Sequence, residues 1–211
     1  MSLRVGVLVS GEGSNLQAIL DGVHGRGGVE VVAVASSRAE ARGLERARRA
    51  GVEAEVFAAP DRGDRPARDS ALAAWLDERE VELVVLAGWM QILGGEFNQH
   101  FAGRMINVHP SLLPAFAGLR PIEQAIDYGV KVMGVTVHFV EEDVDAGPII
   151  LQEAFDVFPY SGDIAAIERR VHEIEHRLLP RAVGLIAAGR VRIDPESPRH
   201  VIVEGGADGD D

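Results

Sequence analysis

The sequence predicts an α/β protein: a Rossmann-like, mostly parallel, twisted sheet with helices on both faces and an antiparallel extension in the C-terminal half. Three observations predict it. Short apolar, β-branched runs alternate with stretches of helical period through the first half of the chain. A Gly-rich turn joins the first run to the first helical stretch, as in open α/β sheets that bind ligands at their carboxyl edge. After Gly134 the pattern changes to two strand-like runs joined by an acidic loop, which reads as an antiparallel pair.

Taken in order, Leu3 to Val9 is a strand apolar enough to be buried on both faces, and Asn15 to Asp21 is a helix with Ser14 as its expected N-cap. Val29 to Ala35 is the second strand, Ala39 to Ala50 a charged amphipathic helix closed by Gly51, and Val52 to Phe57 the third strand. Ala58 to Asp64 reads as a loop and Pro66 to Glu78 as a helix with Pro at its first position. Leu83 to Ala87 and Met105 to Val108 are the fourth and fifth strands. Gly134 to Val140 and Ile149 to Phe155 form the antiparallel pair. Ile164 to Gly189 is a long helix with Pro180 as a candidate bend, and short strands at Val191 to Ile193 and Val201 to Val203 follow. Residues 1 to 204 are expected to form one domain, and the acidic Gly-rich tail, 205 to 211, to be disordered.

Composition narrows the function. The 211 residues carry 33 acidic and 21 basic side chains, a formal net charge of -12, which argues against nucleic acid or an anionic membrane as partner. Cys is absent, which excludes a thiol nucleophile, a disulfide framework and a Cys-ligated zinc. Lys131 is the one lysine, which leaves almost no room for Schiff-base or GK[ST] chemistry. No apolar run approaches the roughly 18 residues of a membrane span, and the N-terminus lacks the features of a signal peptide, so a cytoplasmic protein is expected.

Four segments can carry chemistry. Ser10 to Gln17 (SGEGSNLQ) lies between the first strand and first helix; Gly11 and Gly13 suit either a tight turn or a phosphate site, while Leu16 breaks the dinucleotide fingerprint. Ile106 to Pro114 (INVHPSLLP) puts Asn107 and His109 on one side of a strand by its period of two. An amide donor beside an imidazole suits acyl or formyl transfer, where a developing oxyanion needs donors and a proton must move; a capping Asn beside a structural His is the plain alternative. Glu141 to Asp145, beside Gly147-Pro148, offers a carboxylate, Asp145, to orient His109 and favour its imidazolium form. His172-Glu173-Ile174-Glu175-His176 matches H-E-x-x-H, but Leu179 and Ala182 fail the extended zinc signature, so no metal is expected.

Together SGEGSNLQAIL, LAGWMQIL, INVHPSLLPAFAG and GVTVHFVEEDVDAGPIILQ resemble the phosphoribosylglycinamide formyltransferases over roughly residues 3 to 193. The resemblance implies transfer of a formyl group from 10-formyltetrahydrofolate to the amine of 5-phosphoribosylglycinamide in purine biosynthesis, without a metal, by a monomer or homodimer. It implies Asn107, His109 and Asp145 as the catalytic trio. Gly13, Ser14, Asn15, Leu16 and Gln17, with Glu175, match the ribonucleotide site. Arg65, Met90, Gln91, Ile92 and Leu93, with Asn107 and the loop Glu141, Glu142, Asp143, Val144 and Asp145, match the folate contacts. Gln91 stands where the family commonly has Arg or Lys, and Glu141-Glu142 replace its usual Thr-Asp pair. Relatives that formylate initiator tRNA or hydrolyse formyltetrahydrofolate carry added domains, for which 211 residues are expected to leave no room.

Overall fold

The structure, a computed structural model, describes residues 2–58, 65–160 and 163–204. The expected loop Ala58 to Asp64 falls mostly outside the described residues, as does the tail 205–211.

The strands are β1 Leu3–Val9, β2 Val29–Ser36, β3 Glu53–Val56, β4 Leu83–Leu86, β5 Met105–His109, β6 Val132–Phe139 and β7 Ile149–Asp156. They form a seven-stranded sheet in the order β3-β2-β1-β4-β5-β6-β7. The first five pair in parallel, and β5-β6 and β6-β7 pair antiparallel, the architecture and extension that the sequence predicts. The helices are α1 Ser14–Gly22, α2 Arg42–Arg49, α3 Arg65–Asp77, α4 Gly95–His100, α5 Pro121–Tyr128 and α6 Ile164–Ala187. A hairpin of β8 Val191–Asp194 and β9 Ser197–Val203 forms a second, two-stranded sheet.

The core divides on the two faces of β1. Val5, Val7 and Val9 join the cluster that contains Leu16 and Ile19 of α1 and Ile174, Leu178 and Leu179 of α6. Leu8 points the other way, into the cluster of Leu72, Leu76, Phe97 and Phe101. This is the period-two consequence of a strand buried on both faces.

Three local expectations are corrected. The cap of α1 is Gly13, not Ser14: Gly13 is left-handed (φ 72°) with no side-chain cap bond, and Ser14 is the first helical residue. A Cβ at Gly13 would lie 2.6 Å from Gly43 Cα, so the α1 and α2 starts are packed backbone to backbone. The second helix begins at Arg42, not Ala39. The Ser36 hydroxyl accepts from Arg38 N (3.1 Å) and donates to Arg38 O (2.8 Å), and this local turn competes with helix until the chain has rounded the sheet edge. Helices α4 and α5 fill stretches with no expected element.

The strand order reverses between β2-β1 and β1-β4. Ligands of open α/β sheets bind at such a reversal, outside the carboxyl ends of the strands. The segments after β1, β4 and β5 all emerge on that edge.

Candidate active site

Asn107 and His109 end β5, facing one side as the strand period requires. His109 is buried, and its Nδ1 lies 3.2 Å from Asp145 Oδ2 while its Nε2 lies 2.9 Å from the Phe116 carbonyl oxygen. A carboxylate and a carbonyl oxygen only accept, so a ring protonated at both nitrogens satisfies both. The expected link from Asp145 to His109 is thus direct. Asn107 Nδ2 donates to Asp145 Oδ1 over 3.4 Å and lies 3.3 Å from His138 Nε2. Both contacts are at the long limit, so the amide can be turned to another acceptor at small cost.

Asp145 sits in the β6-β7 connection with a left-handed backbone (φ 54°) and accepts from Gly118 N at 2.9 Å. Half-burial works to raise its carboxyl, but His138, the Gly118 amide and the charge of His109 together hold it below the usual carboxylate range. The turn is closed at its base by Gly147, where a Cβ would lie 1.8 Å from the Phe139 carbonyl oxygen; only glycine fits.

His138 was not singled out by the sequence. It pairs across from Asn107 in the β5-β6 register, is buried, and turns Nδ1 to the Phe139 carbonyl oxygen at 2.8 Å. The available signal was Thr136 and His138, two polar residues of one strand face inside an otherwise apolar run.

The loop after β1 forms a second cluster. Asn15 Nδ2 donates to Glu175 Oε2 at 3.1 Å, and His172 Nδ1 approaches the same oxygen at 3.0 Å, so Glu175, buried on α6, faces the start of α1. The Glu175 hydrogen bond raises the pKa of His172 against partial burial, whereas burial lowers that of His176. Arg46 of α2 braces the loop from outside, donating to Glu12 O (2.9 Å) and Gln17 Oε1 (3.2 Å). Ser14, Gln17, Ala18, Asp21, Arg46 and His176 line an open cavity of about 370 Å³ here. The first N–H groups of α1 have no partner within the helix, which suits an anion. The H-E-x-x-H residues are otherwise engaged: Glu173 pairs with Arg170 at 3.0 Å, and the two imidazoles stack with centroids 6.0 Å apart. No group of His, Asp or Glu among the described residues is arranged to hold a metal ion.

The segment after β4 is fixed by its backbone. Met90 N donates to Ser10 Oγ at 2.8 Å, Ile92 O accepts from Arg68 at 2.9 Å, and Gly94 N donates to Asp69 Oδ2 at 2.7 Å. Arg68 and Asp69 are themselves a buried pair, Nε to Oδ1 2.8 Å. Sequence reasoning singled out Arg65 in this helix; it is exposed at the first residue of α3, and Arg68 is the arginine that reaches this segment. Met90 and Ile92 are 65% and 66% exposed, Gln91 faces solvent and Leu93 is buried. Glu141, Glu142, Asp143 and Val144 also face solvent.

Known proteins resemble this chain in sequence and fold. The formyl transferase family model matches residues 3–183. The chain is 46% identical over 192 residues to the human trifunctional purine biosynthetic protein adenosine-3, covering 90% of this chain and 19% of that protein, so it spans about a fifth of that relative. It is 42% identical over 195 residues to the phosphoribosylglycinamide formyltransferase of Escherichia coli K12, covering 90% of each. The crystal structure of glycinamide ribonucleotide transformylase 1 from Symbiobacterium toebii superposes with a TM-score of 0.88 at 49% identity, covering 96% of this chain and 94% of that one. With the family model matched across most of its length and the seven-stranded sheet shared, the chain belongs to the formyl transferase family.

Proposed function

We propose that the protein transfers the formyl group of 10-formyltetrahydrofolate to the amine of 5-phosphoribosylglycinamide, as a single domain in the cytoplasm. The observation that carries this reading is the buried contact of Asn107, His109 and Asp145 at the carboxyl end of β5. On the same edge lies the anion-suited start of α1.

Asn107 presents an amide donor that its long contacts hold only weakly, ready for a carbonyl oxygen as negative charge gathers there. His109 carries the proton, released by exchanging the Phe116 carbonyl for the reacting group. Asp145 keeps the ring oriented and its charge matched, and its own carboxyl stays ionised into acid. The N–H groups of Gly13 to Leu16 and the side chain of Gln17 face a phosphate, and Glu175, held by Asn15, faces the amine end. Met90, Ile92 and Val144 are exposed apolar side chains on loops flanking the trio, which fits the flat ring of a folate. When bound, that co-substrate supplies the formyl carbon.

The test is release of tetrahydrofolate from 10-formyltetrahydrofolate, measured with and without 5-phosphoribosylglycinamide. Release that requires the ribonucleotide is expected. Release without it means hydrolysis on this fold, and no release in either case means a binding protein.

A further inference from the structure

The C-terminal hairpin lies beyond residue 183, where the family model ends, yet it reaches the loop that carries Asp145. Strand β9 lies against β7, and from it Arg199 donates a hydrogen bond to the Ala146 carbonyl, with its guanidinium 4.0 Å from the Glu141 carboxylate. Ala146 is the residue next to Asp145, and Glu141 is the second residue after β6, so one guanidinium reaches both sides of the turn.

The loop has few other restraints. Its base is closed by Gly147 against Phe139 and by Phe139 N on the Pro148 carbonyl at 2.9 Å. Within the turn, Ala146 N reaches the Asp143 carbonyl only at 3.4 Å, and Asp145 is held by its side chain, through Gly118, His109 and Asn107. Residues 141 to 144 face solvent. A left-handed, non-glycine backbone at Asp145 is intrinsically costly and needs its surroundings to hold it.

We infer that Arg199 is a positioning residue: the C-terminal hairpin uses it to hold the Glu141–Ala146 turn in the conformation that aims Asp145 at His109. This rests on the proposed roles of Asp145 and of the loop in folate binding. The pair is exposed, and exposed ion pairs add about 0–1 kcal/mol at most to folding, so its effect is local order of the turn and not the stability of the protein.

Two readouts separate the inference from the reading beneath it. Hydrogen exchange of the 141–147 amides, which needs no activity, is expected to quicken in Arg199→Ala and to recover in part in Arg199→Lys, whose ammonium still reaches a carbonyl. In steady-state kinetics, Arg199→Ala is expected to raise KM for the formyl donor about five- to tenfold, with a smaller loss of kcat and an unchanged thermal midpoint. Arg192→Ala is the control, because Arg192 is an exposed arginine of the same hairpin whose ion pair, at 3.6 Å, is with Glu204 just past β9. Unchanged exchange in Arg199→Ala overturns the inference whatever the activity, as does an equal effect of Arg192→Ala. An inactive wild type with quickened exchange in Arg199→Ala keeps the brace and removes the proposed reaction.

Discussion

Asp145 Oδ2 lies 3.2 Å from His109 Nδ1, although one residue ends a parallel strand and the other sits in the connection of an antiparallel pair. The β5-β6 register sets Asn107 opposite His138, and the turn that follows β6 leaves beside Met105 and folds back so that Asp145 reaches both Asn107 and His109. A buried imidazole with an acceptor at each nitrogen relies on that carboxylate for its orientation. Asp145→Asn removes the charge and keeps the shape. The expected result is a loss of kcat on the order of 10²-fold or more, with KM for either substrate changed much less, measured by steady-state kinetics at neutral pH.

Acid should inactivate the enzyme through groups other than Asp145. An amine must be neutral to attack a carbonyl, so activity is expected to fall as pH drops from 8 to 5. Asp145 is held below the usual carboxylate range, so its contribution to stability is present above the unfolded value of about 3.9 and is lost only as pH falls through its lower folded value. A pH-rate profile that declines while circular dichroism stays native down to pH 5 is the expected outcome, and a flat profile contradicts the account.

His172 gives a pH dependence of opposite sign. Its hydrogen bond to Glu175 raises its folded pKa, so the stabilisation is fully present below the unfolded value of about 6.5 and disappears as pH rises through the folded value. Thermal midpoints measured from pH 5 to pH 9 should show a component in that window that His172→Gln abolishes.

The Arg68–Asp69 pair should behave as a buried ion pair does when halved. Both side chains are almost fully inaccessible (2% and 6%), and the two residues also hold the Ile92 carbonyl and the Gly94 amide. Asp69→Ala strands a buried guanidinium and is expected to cost about 3–5 kcal/mol. Urea titration reads that loss; a shift under 1 kcal/mol would sink this account of the Met90–Leu93 segment.

Much of this was legible in the sequence, and the reasons are physical. The buried strands read correctly because a parallel sheet covered on both faces needs uninterrupted apolar runs, and the antiparallel pair read correctly because its acidic connection and Gly147-Pro148 cannot continue a helix. Helix α5 was missed although Pro121 at its start and a left-handed Gly129 at its end are helix boundaries; eight residues between two turn-rich stretches carry too little periodicity. Helix α4 begins in Gly94-Gly95 and is shorter still. Within the site, Asn107 and His109 share a strand, so their proximity follows from spacing. The contacts of Arg68 with the Ile92 carbonyl and of Arg199 with the Ala146 carbonyl join segments far apart in the chain, and no local pattern encodes them.

The most direct measurement of the central claim uses 10-formyltetrahydrofolate labelled with ¹³C at the formyl carbon, incubated with 5-phosphoribosylglycinamide and followed by NMR for the wild type and His109→Ala. The account predicts that the label appears as the formamide carbon of the ribonucleotide, one for each tetrahydrofolate formed, and that the variant is slower by on the order of 10²- to 10⁴-fold. Label emerging from the wild type as free formate, or a His109→Ala rate equal to wild type, would contradict it.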